Sequence, residues 1–201
     1  MHLYYAPRTR AFRARWLLEE LGAPYELHSV DLGRGEQRTP EYRRIHPLGA
    51  VPALVDGESV VFESAAICLE LADRFVDRGL APSPQSPLRG PYYQWSVFAV
   101  ATLDPIVAPA FTRSFRWPAE RRHETATDDE HERFAKTAVA LRVPLLHSPF
   151  LLGESFSTAD VLVGSVLAWA KVSGLLRSAA ELEPYLNRLE DRPAFQRALK
   201  D

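Results

Sequence analysis

The stretch "AVPALVDGESVVFESAAI", residues 50–67, carries two short β-branched runs around Asp56-Gly57, then an acidic residue and a serine at the entrance of an apolar helix. A D-G pair between such runs marks a hairpin, so strands are expected at 53–55 and 59–62. Pro52 cannot donate a ladder hydrogen bond and marks the first residue of a strand or an edge, and it pushes Val51 into an extended conformation. Since only about 5–6% of X–Pro bonds in folded proteins are cis, the residues alone point to a trans bond. Glu63 and Ser64 open a helix expected over 63–75, with Ala66, Ile67, Leu71 and Phe75 available for burial. A serine there is an ordinary N-cap worth ~1 kcal/mol, but the same helix end is also a ready anion site.

Working outward, "HLYY" (2–5) reads as a strand and "AFRARWLLEELG" (11–22) as a helix. In that helix Ala14, Leu17, Leu18 and Leu21 share a face, and Gly22 takes the C′ position. "YELHSVDL" (25–32) reads as a second strand and "EQRTPEYRRIH" (36–46) as a polar helix or turn. The order is β-α-β-α-β-β-α within about eighty residues. "GLAPSPQS" (79–86) is a Pro/Ser-rich connection, and everything after it is patterned as helix, apart from a polar stretch at 112–127. The division expected is therefore a 1–78 domain, a 79–86 linker and an all-helical 87–201 domain.

With 201 residues the chain can bury a substantial core, and its formal net charge of −2 gives no global field toward nucleic acid or an anionic membrane. Four arginines (8, 10, 13, 15) crowd the region around the start of the first helix, but a nucleic-acid patch would want interleaved stacking aromatics and net positive charge, so a solvated helix face or a locally electropositive thiolate pocket is expected. No segment is expected to reach the ~20 apolar residues of a membrane span, and no signal-like start is present, so a cytoplasmic protein is expected. The single cysteine, Cys68, excludes an internal disulfide and any C-x-x-C pattern, and reads as a buried small hydrophobe. The six histidines show no H-x-x-x-H or His/Cys cluster, so no metal is expected. "FSTAD" (156–160) reads as a capping box with Asp160 reaching back and Phe156 as the staple, a folding device.

Taken together, "PRTRAFRARWLLEELGAPYE", "IHPLGAVPALVDGESVVFESAAICLELA", "LLGESFSTADVLVGSVLAW" and "RPAFQRAL", in that order over nearly the whole chain, resemble the cytosolic glutathione transferases of bacterial type. The resemblance implies an N-terminal thioredoxin-like domain, an all-helical C-terminal domain and a homodimer. It implies a cis bond at Pro52, with the Val51 N–H and C=O turned outward to pair with an extended peptide. It also implies that Ser64 and Glu63 take the carboxylate and ammonium of the γ-glutamyl arm of glutathione, the co-substrate. Gln37 aligns with a position that in some classes reaches the glycine carboxylate, and Asp104 with one that reaches a partner subunit's glutathione.

Glutathione chemistry needs a thiolate. Bringing a thiol from ~8.5 to about 6.5 takes ~2.7 kcal/mol, and one hydrogen bond to a charged group contributes ~1.5–3 kcal/mol. The donor belongs in "APRTRAF", where relatives place tyrosine, serine or cysteine. Here Thr9 aligns with the serine and Arg10 with the cysteine, so Thr9 is the candidate donor, Arg10 the electrostatic alternative and Tyr5 a remote third; Thr9 can equally be a plain N-cap. His46 reads as a turn residue. A hydrophobic electrophile would need an apolar wall, for which Tyr92, Trp95, Phe98, Phe111, Phe115 and Trp117 are available, though at helical spacing such residues more often form core or interface. The activity implied is conjugation of the glutathione thiolate to electrophilic small molecules. The alternatives are a glutathione-dependent disulfide reductase or isomerase, or a glutathione-binding scaffold.

Overall fold

In the computed structural model, which describes residues 1–115 and 118–200, the N-terminal aromatic run forms β1 (His2–Tyr5) and the segment after the first helix forms β2 (Glu26–Ser29). The hairpin forms β3 (Ala53–Asp56) and β4 (Ser59–Phe62). Its last pair is Asp56 with Ser59, so the loop proper is Gly57-Glu58, one residue later than the D-G reading places it. Gly57 takes φ +59°, a left-handed conformation that such two-residue loops need. The sheet order is β2-β1-β3-β4, with β1 parallel to β2 and antiparallel to β3. With α1 (Ala11–Leu21), α2 (Pro40–Arg43) and α3 (Ser64–Arg74) the order is β-α-β-α-β-β-α, the thioredoxin-like arrangement.

The chain divides into two units. One is Met1–Leu80 together with the residues from Arg192 onward, and the other is Ala81–Asp191. In the second unit α4 (Arg89–Val97) continues through the wider turns of a π-helix at Phe98–Leu103 into α5 (Asp104–Ser114). This 26-residue run, Arg89–Ser114, has a window of mean hydropathy 1.3 and is long and apolar enough to cross a bilayer, contrary to the expectation that no segment is. Its apolarity has a packing reason: Tyr92, Trp95, Ala99, Leu103, Ile106, Val107 and Ala110 recur every three or four residues and are buried.

α6 (Asp128–Leu146) opens with a capping box in which the Thr127 N–H donates to Glu130 (2.9 Å) and the Glu130 N–H donates to the Thr127 hydroxyl (3.3 Å). α7 (Thr158–Ser173) is almost wholly buried and opens with the expected box, the Ser157 N–H donating to Asp160 at 2.9 Å. Asp160 also accepts from the Leu151 N–H (2.9 Å) and the Tyr185 hydroxyl (2.8 Å), Tyr185 lying in α8 (Glu183–Glu190). A single carboxylate thereby ties three segments of the helical unit together.

The last helix, α9 (Pro193–Leu199), groups with the first unit and not with the helical stretch that the sequence assigns to it. It packs on α1 through Phe195, whose ring meets Phe12 and Trp16 edge-on at 5.2 and 4.8 Å. Arg192 grips Glu20 through two bonds of 2.6 and 2.7 Å, and Arg197 pairs with Glu19 at 2.7 Å. With α3 and β1 as its other neighbours and α9 on the remaining side, α1 is buried all round. Arg13 and Arg15 are therefore interior residues, 1% and 8% exposed, and not a solvated face. Arg15 donates to the Lys200 carbonyl and its guanidinium lies 5.0 Å from the centre of the Tyr5 ring.

Candidate functional site

A cleft of about 150 Å³ opens in the first unit where the segment before β3 meets the ends of α1 and α3. Four features build it. The first is the Val51–Pro52 bond, which is cis. Val51 precedes β3, and among the described residues neither its N–H nor its C=O has a protein partner. The segment is held from behind: the buried Tyr42 of α2 donates its hydroxyl to the Ala50 carbonyl at 2.7 Å. Gly49 lies at φ +60°, where a Cβ would stand 2.5 Å from the Gln37 carbonyl oxygen, so only glycine fits.

The second feature is the entrance of α3. Glu63 holds φ +73°, uncommon for a non-glycine residue, and so turns the chain sharply from β4 into the helix. Glu63, not Ser64, is the N-cap, and no side chain caps the helix. The first N–H groups and the positive end of the dipole thus face a cleft lined by Glu63 and Ser64. Ser64 lies one position inside, buried, and accepts a hydrogen bond from Arg13 Nη1 at 3.3 Å.

The third feature is Arg10, at the N-cap of α1, which lines the same cleft. Thr9 does not. Its hydroxyl donates to the Ala6 carbonyl (2.6 Å) and accepts from the Ala11 N–H (3.2 Å), bracing the turn before α1 from the position preceding the N-cap, so it is not itself the N-cap. The fourth is His46, 4% exposed, which lines the cleft with its ring 4.8 Å from that of Phe62 and its Nδ1 without a hydrogen-bond partner. Burial lowers its pKa below 6.5, against an opposing pull from the nearby Glu63 carboxylate.

Several expected residues lie elsewhere. Gln37 is half-buried, donates to the Leu32 carbonyl at 3.4 Å and does not line the cleft. Tyr5 is buried against Arg15. In the helical unit Phe111 is core, stacked on Trp169 at 4.2 Å, and Tyr92 and Trp95 are likewise buried. Phe98 and Phe115 are half-buried against Trp95 and Phe111, and Trp117 lies outside the described residues. Asp104 is buried, 2% exposed, at the start of α5. Cys68 is fully buried, and burial pushes its thiol up to about 12, which makes it inert.

Sequence reasoning did not foresee that Arg13 contacts Ser64 or that His46 lines the cleft. Arg13 had a signal, since it follows Arg10 by three residues, one turn along the same helix. His46 had none, because its burial depends on Phe62, sixteen positions away in the chain. A third omission lies outside the cleft: linear spacing suggests no metal ligands, yet strand pairing brings His2, Glu26 and His28 together.

The family described as glutathione S-transferase, N-terminal domain, matches residues 1–73. The chain is 32% identical to the disulfide-bond oxidoreductase YfcG of Escherichia coli (strain K12), covering 98% of this chain and 93% of that one. It is 35% identical to glutathione S-transferase 1 of Dianthus caryophyllus, covering 95% and 86% of the two chains. A solved sphingomonad glutathione S-transferase, complexed with glutathione, matches with a TM-score of 0.78 at 27% identity over 99% of this chain and 97% of its own. On the sequence, the fold and these likenesses, the chain belongs to the glutathione S-transferase family.

Proposed function

We propose that the cleft binds glutathione and delivers its thiolate to the electrophilic carbon of an apolar small molecule, in a homodimer of the family's kind. The observation that carries this reading is the unpaired Val51 backbone facing the same cleft as the uncapped entrance of α3. An extended cysteinyl backbone pairs with Val51 as a short extra strand. The γ-glutamyl carboxylate takes the first N–H groups of α3 and the Ser64 hydroxyl, and the adjacent ammonium takes Glu63. Arg13, bonded to Ser64, adds buried positive charge behind the carboxylate.

For the thiolate we assign Arg10 rather than Thr9, because Arg10 lines the cleft and the Thr9 proton is committed to Ala6. A guanidinium near the sulfur favours the ionised form, and the ~2.7 kcal/mol needed for a two-unit drop is within reach of one charged hydrogen bond together with the dipole of α1. Catalysis then consists of holding a desolvated thiolate against the electrophile: the sulfur lone pair forms the S–C bond as the leaving group departs with its electrons, and no covalent enzyme intermediate arises.

A second reading is favoured by the name of the Escherichia coli relative. The bound thiolate attacks a disulfide, expelling one thiolate and leaving a mixed disulfide, which a second glutathione resolves to the free thiol and oxidised glutathione. Both electrons come from glutathione, consistent with a Cys68 that is buried and inert.

Calorimetric titration with glutathione, combined with thiolate absorbance against pH, tests the site. Wild type is expected to bind and to hold the bound thiol near 6.5, roughly two units below its free value. Ser64→Ala weakens binding by about tenfold or more. Arg10→Ala raises the bound thiol's pKa, whereas Thr9→Ala leaves it nearly unchanged. Failure of wild type to bind removes both readings. Parallel assays with an activated aryl halide and a small disulfide then decide between conjugation and reduction.

A further inference from the structure

We propose that His2, Glu26 and His28 form a site for one divalent cation of the zinc class on the less buried face of the sheet, fastening the edge strand β2 to β1. The pleat and the register create it. His2 lies opposite Glu26 across the parallel pair, and His28 follows two residues along β2, so all three side chains leave the same face. Leu3 and Tyr5, of the opposite parity, are buried. This cluster lines no part of the glutathione cleft, and the inference stands apart from the function proposed above.

The geometry is already that of a coordination triangle. His2 Nδ1 lies 2.9 Å from His28 Nε2 and 3.2 Å from Glu26 Oε2, and His28 Nε2 lies 3.6 Å from the same oxygen. Around a tetrahedral zinc with bonds of about 2.0–2.2 Å, neighbouring ligand atoms stand about 3.3–3.6 Å apart. Two imidazoles and one carboxylate form a recurrent three-ligand set that leaves a fourth position for water. Two ring nitrogens and a carboxylate oxygen converging on one point are joined either by a metal ion or by the N–H of one imidazole. The Tyr4 ring lies nearly flat on His28 at 5.0 Å and is braced edge-on by Tyr42 at 5.7 Å, which fixes the orientation of one ligand. The three side chains are 44%, 72% and 40% exposed in chain order, so a hydrated ion can reach them.

Titration of the untagged full chain, freed of metal by a chelator, with cobalt(II) and then zinc tests this. One cobalt per chain is expected, with visible d–d bands that zinc abolishes. His2→Gln and His28→Gln are each expected to weaken zinc binding by at least about tenfold, and Glu26→Gln by a comparable factor. His123→Gln, an exposed histidine of the helical unit, leaves it unchanged. Zinc raises the unfolding temperature of wild type and not that of His28→Gln. Absence of saturable binding up to about 1 mM means that a proton bridges the group and overturns the proposal. Binding that survives both histidine substitutions overturns it equally, by locating the metal elsewhere. If His28→Gln fails to fold, His2→Gln and Glu26→Gln decide the matter.

Discussion

His46 sits where a charge is least welcome, buried beside Phe62 with Nδ1 unpartnered, and this ties stability to pH. Its folded-state pKa lies below 6.5, burial being the main cause, so below 6.5 the unfolded chain takes up the proton more readily than the folded one. The stability this residue contributes is whole above pH 6.5 and declines as pH falls from there toward the folded pKa. Urea unfolding at a series of pH values is expected to show that decline, and His46→Asn to flatten it; an equal slope in the variant would exonerate His46. At this scale the sequence was legible where chemistry is local. A strand start and a helix start marked Val51, Pro52, Glu63 and Ser64 as boundary residues, the family resemblance gave them their ligand roles, and all four line one cleft. The sequence ranks Thr9 above Arg10, yet Arg10 lines the cleft, because which of two neighbours faces a cleft depends on where the preceding turn leaves the chain. Arg8, at φ +60°, makes that turn irregular.

Elements set the shape of the cleft more than any one side chain does. The segment before β3 hangs on two contacts, the Tyr42 hydroxyl on Ala50 and the close approach of Gly49 to Gln37. Gly49→Ala introduces both a left-handed strain and a clash with a backbone oxygen, at a cost of about 1–3 kcal/mol. Because the strain falls two residues before Val51, glutathione affinity is expected to drop along with the unfolding midpoint, and calorimetry beside thermal melts measures both. Asp160 plays the corresponding part in the helical unit, with backbone and side-chain donors from Leu151, Ser157 and Tyr185. Asp160→Ala leaves these donors unsatisfied and is expected to destabilise that unit by about 3 kcal/mol without touching the cleft. The hairpin, α1 and the FSTAD box could be read in advance because their signals are short-range: a turn pair, a helical period, a cap. The burial of Arg15 could not, since its guanidinium meets the Lys200 carbonyl 185 residues further on, and that of Arg13 could not, since its partner Ser64 lies in another helix.

At the scale of the whole molecule, the first unit has a core drawn from both ends of the chain. Phe195→Ala removes a ring packed on Phe12 and Trp16, and a change of that kind typically costs about 3–5 kcal/mol. The expected result is a lower melting temperature for the cleft-bearing unit, with a red shift in the emission of Trp16 on partial opening; an unchanged melt would make α9 ornamental. The Pro/Ser-rich connection spans the point after Leu80 where the two units divide, but nothing local marks the return of the last helix, because "RPAFQRAL" is patterned like any other amphipathic segment and its partner surface is written elsewhere. That return has a consequence for biogenesis. During translation, the nascent N-terminal segment emerges with Phe12 and Trp16 uncovered, and all of residues 81–191 must be made before α9 arrives to cover them. The unit begun first therefore waits for the synthesis of the whole second unit, and until α9 has been made the uncovered Phe12 and Trp16 are a target for chaperones and proteases.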